Sequence, residues 1–478
     1  MLKKLNNKTA SKPADIPVRI LQFGKGNFLR GFADWMIDIM NEKAGFNGAV
    51  RIVQVNSQSD DEHFRLQDGL YHVVLNGVRH GRLSREIRLI SCIDSIVNPF
   101  EDYEAYLKGG ENPDLQFVIS NTTEAGIRFE VKDEDPDILP QTFPGKLTGL
   151  LYHRFKFFDG DKRRALTILP CELIERNGEV LRDSILQYVA HWRLPEAFRR
   201  WISDHTLFCN TLVDRIVPGF PNETFNEIWE ETGYEDHLIV SGEPFYLWVI
   251  EPVTSPAITI PDLKSRLPFE KAALQGVKFV EDLSPYRTMK VRILNGAHTA
   301  MVPVGYLRGL RTVREGIEDK GTGDFIRKAV EEEIIPTLDL PKEELQQFAN
   351  DVFERFQNPF IRHELMSIAL NSISKYQVRV LPSVLEYNRR TGKLPERLLY
   401  SLAALIVFYR GAWRKVMIPL KDTPPVIEFF QKAWRAKDPS IVVQEVLSNE
   451  TLWKTDLTRI EGLRTAVLEH VVGLLKDE

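Results

Sequence analysis

Residues 18–43 read VRILQFGKGNFLRGFADWMIDIMNEK. Val18 to Phe23 is a short apolar run suited to a strand. Gly24-Lys25-Gly26 follows without a spacer, and from Asn27 onward apolar residues recur at helical spacing. Strand, tight glycine turn and helix in that order predict the opening unit of a nucleotide-binding α/β sheet. Gly24 permits the turn and Gly26 lets the backbone approach a diphosphate. The helix start offers N–H donors and the positive end of its dipole. A glycine-rich turn with no ligand has the same letters, because Leu29 stands where the usual fingerprint has a third small residue. Arg30, in the first helical turn, suits either phosphate charge or a surface ion pair.

Working outward, Val50 to Val55 (VRIVQV) predicts a second strand, ending in Asn56-Ser57-Gln58-Ser59-Asp60-Asp61. In such folds the end of this strand chooses between NAD and NADP. The expected acid is missing from the first position, and Asp60 or Asp61 would have to reach back to a ribose. No arginine follows directly, which favours NAD. Leu115 to Ile119 predicts another strand, running into Ser120-Asn121-Thr122-Thr123-Glu124-Ala125-Gly126. Polar residues at a parallel strand's carboxyl end line the ligand crevice. Asn121 and Thr122 suit a nicotinamide ribose, and Asn121 or Thr123 equally suits a helix N-cap. Ala165 to Leu169 predicts a further strand before Pro170-Cys171-Glu172, and Asn177-Gly178 reads as a turn.

A chain of 478 residues is long enough for two or three domains with real cores. Its net charge of −5, with acidic and basic residues interspersed, gives no electrostatic case for nucleic acid or an anionic membrane. Three cysteines, Cys92, Cys171 and Cys209, stand far apart without a CxxC pair. They argue against a zinc site or a disulfide framework and for a reducing, cytoplasmic setting. The polar start MLKKLNNKTASKPADIP reads as a short mobile lead-in without a signal-peptide core. The most apolar run, SLAALIVFYRGAW, meets Arg410 and reads as a buried helix, not a membrane span.

Chemistry concentrates at 290–306, KVRILNGAHTAMVPVGY. On an α-helix, with about 100° per residue, Lys290, Asn295 and His298 fan over less than half the circumference. A lysine exchanges protons with a hydroxyl, an amide N–H holds a developing oxyanion, and an imidazole orients the same oxygen. That set suits alcohol–ketone interconversion without a metal; an amphipathic helix with a solvated lysine has the same spacing. An ordinary lysine titrates near about 10.4. Exchange near neutrality requires it to titrate roughly two to three pH units lower, through desolvation or a neighbouring cation such as Arg292.

At this point the chain resembles a known family. FGKGNFLRGFADWMID, SNTTEAGI, PCELIERNGEVL, TLVDRIVPG, KVRILNGAHTAMVPVGYLRGL, EEIIPTLDLP and RFQNPFIRHELMSIALNSISKYQVRVLP match the polyol-specific long-chain dehydrogenases, the mannitol dehydrogenase family, in its uronate branch. The resemblance implies an α/β Rossmann-type NAD-binding domain over 1–283. A mainly α-helical substrate domain of the 6-phosphogluconate dehydrogenase C-terminal-like type would cover 284–478, with the active site in a cleft between them. It implies metal-independent hydride transfer, with Lys290 as acid and base and with Asn295 and Asn177 donating to the reacting oxygen. His298 would orient the substrate. The cofactor-binding set would be Phe23, Gly24, Gly26, Asn27, Phe28, Arg30, Asn56, Asn121 and Thr122. The mannitol branch has an acid–asparagine pair after the cysteine; here Cys171-Glu172-Leu173 lacks that asparagine.

A sugar acid needs a cationic or donor-rich pocket for its carboxylate. Arg362, His363, Lys375 and Arg379 are candidates, and the resemblance singles out His363 and Lys375. The mannitol branch has an arginine eight residues before that lysine; here it is Ser367, which favours a different ligand. The expected ligands are a small keto-uronate or its aldonate, and the expected state is a monomer or small homo-oligomer. Rival readings are a reductase of the epimeric keto-uronate, a plain hexitol dehydrogenase and an NADH-binding sensor. Helical patterns cover Asp324 to Ile335, Lys342 to Phe356, Glu396 to Tyr409 and Asp456 to Leu475, the last opened by Asp456 or Thr458.

Overall fold

The computed structural model describes residues 2–13, 15–57, 61–123, 125–253 and 263–478; Asp60 lies outside them. The chain divides into two compact units: Met1–Asn76 with Ser84–Leu283, and Gly77–Leu83 with Ser284–Glu478.

The first unit is built on an eight-stranded sheet. Its strands are β1 (Val18–Phe23), β2 (Ala49–Val53), β3 (Ile93–Val97), β4 (Phe117–Ser120), β5 (Thr167–Pro170), β6 (Leu207–Asp214), β7 (Leu247–Pro252) and β8 (Val277–Phe279). The order across the sheet is β8-β7-β6-β5-β4-β1-β2-β3. The strands from β3 through β6 are parallel, and β7 returns antiparallel to β6. This is the Rossmann order, reversing between β1 and β4, where doubly wound sheets open a crevice at the strand carboxyl ends. Alternate side chains feed two cores. Ile20, Ile52, Ile119 and Leu169 pack on one face with Phe32 and Met36 of the glycine-turn helix. Leu21, Phe23, Val118 and Ile168 pack on the other with helices α2 (Phe143–Phe157) and α3 (Asn177–His191), the glycine-turn helix at 27–44 being α1. Burial on both faces explains why these strands read as apolar runs.

Three local expectations are corrected. The lead-in is tied down: Lys3–Lys4 pairs with Tyr234–Glu235, and Leu5 is buried. No helix opens at Asn121 or Thr123; the next one begins at Phe143, where Thr142 accepts from the Gly145 N–H as N-cap. Asn177-Gly178 is the first turn of α3, not a loop turn. A Cβ on Gly178 would stand 2.3 Å from the Cys209 carbonyl oxygen, so only glycine lets this helix start lie flush on β6.

The second unit is mainly helical. Leu398–Phe408 is almost wholly buried, as an apolar helix must be, and packs against Gly296–Leu307 and Leu463–Lys476. Its start is capped by buried Glu333, which accepts from the Arg397 and Leu398 N–H groups, both at 2.9 Å. The last helix runs Leu463–Lys476; Asp456 caps only a short 3-10 turn before it, because Gly462 interrupts with φ 76°. No described helix is long and apolar enough to cross a membrane.

Candidate active site

At the carboxyl end of β1 the chain turns through Gly24 with φ 112°, and a Cβ there would stand 3.1 Å from the Asn121 carbonyl oxygen. The turn is pinned on both sides: Gly24 N–H donates to Val53 O at 3.1 Å, and Asn121 N–H to Phe23 O at 3.2 Å. Gly26 is exposed, a Cβ on it would meet nothing within 4 Å, and no side chain caps the helix it opens. That helix, 27–44, is α-helical except for a π-helical stretch at Arg30–Asp34. Open space over Gly26, uncapped N–H groups and the strand-order reversal fit the diphosphate of a dinucleotide. The close approach that a third fingerprint glycine would give falls instead at Gly31, against Val217 and Val240, while Leu29 is buried.

Most polar side chains expected to meet the cofactor do other work. Arg30 is buried and donates to Lys25 O (3.2 Å), Leu238 O (2.5 Å) and Asn27 Oδ1 (2.6 Å), between the Phe64 and Tyr71 rings. It fixes the glycine turn from behind. Asn121 Nδ2 donates to Cys171 O at 2.6 Å, and the Thr122 N–H and hydroxyl donate to Glu172 Oε1 at 3.0 and 3.1 Å. Ser120 Oγ donates to the other Glu172 oxygen at 3.0 Å. Burial pushes the Glu172 carboxyl up from its ordinary value. Phe23 is buried against Phe143 and offers only its backbone, whereas Phe28 stacks on Phe32 and Asn56 is exposed. Asp61 is engaged by Arg65 at 3.0 Å.

Asn177 is held on all sides within the first unit. It is 1% exposed, and its Nδ2 donates to Pro170 O and Glu172 O at 3.0 Å and to Thr211 O at 3.2 Å. Its Oδ1 accepts from the Gly178 and Thr211 N–H groups at 2.9 and 2.8 Å. Two amide hydrogens thus face three carbonyl oxygens. Asn177 clamps the carboxyl ends of β5 and β6.

In the second unit, helix 284–307 changes character along its length. Ser284–Met289 and Gly296–Leu307 are α-helical, and Lys290–Asn295 between them is π-helical. This alters the expected fan. On an α-helix, residues five apart diverge by about 140°; a π-turn closes from i to i+5, so Lys290 and Asn295 stand in one column. His298 follows one α-turn on. All three are half-buried, while Ile293, Leu294, Gly296, Ala297 and Ala300 between and after them are buried. A Cβ on Gly296 would meet Arg379 O at 3.1 Å, so the helix bearing Lys375 (Ser372–Arg379) closes tightly on this one.

His298 stacks on Phe356, with centroids 4.2 Å apart and planes at 25°. His363 meets His298 edge-on at 5.0 Å. Burial lowers the His363 imidazole below its ordinary value, so it stands neutral at pH 7. Lys375 Nζ donates to Ile368 O at 2.8 Å, and burial, then Arg379, lower its ammonium. Arg292 is turned to Ser383 Oγ at 3.3 Å. Arg362 is exposed and pairs with Glu364 at 2.6 Å, and Ser367 Oγ donates to Glu364 O. Within the second unit the structure brings together Lys290, Asn295, His298 and His363; Asn177 belongs to the first unit. Phe356 was missed in the sequence; its only signal was an aromatic closing the helical pattern at 342–356. Among the described residues, no group of three or more His, Cys, Asp or Glu could hold a metal ion.

Comparison with known proteins gives a consistent result. Residues 18–262 match the mannitol dehydrogenase Rossmann domain, and 282–474 the mannitol dehydrogenase C-terminal domain. The chain is 46% identical to the altronate oxidoreductase of Bacillus subtilis (strain 168), over 98% of this chain and 96% of that one. It is 42% identical to the altronate oxidoreductase of Yersinia enterocolitica, over 96% and 95%. Among solved structures it is similar to a D-sorbitol dehydrogenase in substrate-free form (TM-score 0.76, 25% identity, 97% and 100% covered). In fold it is also similar to Pseudomonas fluorescens mannitol 2-dehydrogenase in a ternary complex with NAD and D-mannitol (TM-score 0.65, 24% identity, 99% and 97% covered). With both domain models matched in order and relatives of this identity along nearly its whole length, the chain belongs to the mannitol dehydrogenase family.

Proposed function

We propose that the protein is an NAD-dependent oxidoreductase interconverting D-tagaturonate and D-altronate, without a metal and with Lys290 as acid and base. The observation that carries the chemistry is the π-turn, which aligns residues 290 and 295 along the helix and supports Lys290 and Asn295 acting at one oxygen. The sugar-acid assignment is supported by relatives named altronate oxidoreductase at 42% and 46% identity. In balance, the keto-acid, NADH and one proton give the hydroxy-acid and NAD. Bound at the glycine turn, the nicotinamide cofactor supplies the hydride in one direction and accepts it in the other.

The chain's own residues manage the proton and the oxygen. In reduction Lys290 delivers a proton to the carbonyl oxygen as it gains charge; in oxidation it takes the hydroxyl proton. Asn295 donates a hydrogen bond to the same oxygen while negative charge builds there. His298, steadied by Phe356 and His363, orients the substrate. His363 brings hydrogen-bonding capacity without a charge. Lys375 has three ammonium donors and spends one on Ile368 O, which supports it as the partner of the substrate carboxylate. Three free, buried cysteines support a reducing compartment, the cytoplasm.

The test is loss of NADH absorbance with purified protein and D-tagaturonate, D-fructuronate or D-fructose. D-tagaturonate is expected to be reduced fastest. Preference for D-fructuronate would move the protein to the epimeric substrate, and reduction of none would favour an NADH sensor.

A further inference from the structure

Behind the glycine turn, within the first unit, lies a buried polar cluster that the proposed reaction does not use. Asp34 closes the π-stretch Arg30–Asp34 and is 0% exposed. Its Oδ2 accepts from the Tyr71 hydroxyl at 3.0 Å and from Gln22 Nε2 at 3.3 Å. Gln22 Nε2 also donates to Gly24 O at 3.2 Å, so one amide ties Asp34 to the turn itself. Two buried atoms here have no hydrogen-bond partner, Asp34 Oδ1 and Gln22 Oε1. Both are acceptors, so with Asp34 ionised the cluster is short of a donor, and a proton on the carboxyl supplies one.

The charged and titratable neighbours do not make up that deficit. Arg30, on the same helix, draws Asp34 toward the ionised form by its charge, but it donates to Lys25 O, Leu238 O and Asn27 Oδ1 and not to the carboxylate, with Asp236 also acting on it. Asp38, one turn on, is a like charge held by Arg88 at 2.8 Å. Tyr71, at the start of the strand Tyr71–Arg79, and Cys92, just ahead of β3, face Asp34, Cys92 Sγ donating to Asp34 O at 3.4 Å; burial pushes both groups up, so they stay neutral. Burial pushes the Asp34 carboxyl up to about 7, against the opposing hydrogen bonds from Tyr71 and Gln22.

We propose that Asp34 is a positioning residue for the cofactor turn, protonated while a dinucleotide diphosphate is held at Gly24–Gly26, and that losing this proton loosens the cofactor. This rests on the reading of the turn as an NAD site. Neutral Asp34 keeps its bonds to Tyr71 and, through Gln22, to Gly24 O. Ionised Asp34, two hydrogen bonds from Gly24 O, adds a buried negative charge under a ligand that is itself an anion, where screening is weak. By linkage, binding the dinucleotide raises the proton affinity of Asp34 and takes up a proton, and affinity falls as pH rises through about 7.

The experiment measures NADH dissociation constants by tryptophan quenching from about pH 6 to about pH 8.5, and proton uptake on binding by calorimetry in two buffers of different ionisation enthalpy. The wild type is expected to weaken by about fivefold or more, and to take up a fraction of a proton near neutrality. Asp34→Asn, a neutral isostere, is expected to hold the low-pH affinity throughout and take up none. An Asp34→Asn protein with the wild-type pH slope and uptake overturns the proposal. Should that variant not fold, Tyr71→Phe removes a donor that favours the ionised form. The transition must then move to higher pH, and an unmoved transition overturns the proposal. Wild-type binding that ignores pH overturns this inference alone; no NADH binding at any pH overturns the proposed function and this inference with it.

Discussion

The carboxyl ends of the sheet and the π-turn helix carry similar polar residues and use them in opposite ways. At the sheet, the side chains of Arg30, Asn121, Thr122 and Asn177 turn onto backbone or onto Glu172, and the glycine turn offers open backbone at Gly26, with Gly24 buried beneath it. On the helix the backbone is buried, and Lys290, Asn295 and His298 remain half-exposed. The difference follows from what each must bind. A diphosphate is held by N–H groups and a helix end, so the scaffold must fix the backbone. A reacting carbonyl needs a proton donor and a hydrogen-bond donor at one point, so the scaffold must present side chains.

Substitutions break this comparison to different degrees. The largest effect is expected at Lys290→Ala: a turnover loss of about a thousandfold, with NADH binding unchanged, read by steady-state rates and fluorescence titration. A variant keeping about a tenth of the wild-type rate would take Lys290 out of its role. Gly178→Ala comes next, since its Cβ would press to 2.3 Å on the Cys209 carbonyl oxygen, which is backbone and does not yield. Denaturant unfolding should show a loss of about 3 kcal/mol. Gly24→Ala meets both a positive φ of 112° and Asn121 O at 3.1 Å. It should cost about 1–3 kcal/mol and weaken NADH binding while leaving Lys290 chemistry intact at saturating cofactor. Arg362→Ala, which removes an exposed ion pair, should leave the melting temperature unmoved and change KM by less than about twofold.

The stretch 18–43 made the first unit legible, because strand, glycine turn and helix obey local rules that nothing distant overrides. The strand positions, the glycine turn and the helices at 342–356 and 396–408 could be read for the same reason. What sequence could not show was which way a polar side chain turns. Asn177 opens α3 a few residues past the carboxyl end of β5, and only the carbonyls of Pro170, Glu172 and Thr211 converging on it reveal it as a clamp. Arg30 likewise sits beside a phosphate turn but answers to Leu238, over two hundred residues away. The π-stretch at Lys290–Asn295 has no letter of its own; its apolar spacing reads as an ordinary helix, so the Lys290–Asn295 column was invisible until the backbone was seen.

The account stands most directly on two asparagines measured side by side. Asn295→Ala should lower kcat by about a hundredfold or more, the loss of one oxyanion donor, with an unchanged melting temperature. Asn177→Ala removes the shared donor to Pro170 O, Glu172 O and Thr211 O and leaves the Thr211 N–H without its acceptor, so it should lower stability by about 3 kcal/mol, with near-normal kcat per folded molecule. The reverse pattern, a stable but inactive Asn177→Ala beside an active Asn295→Ala, would contradict it.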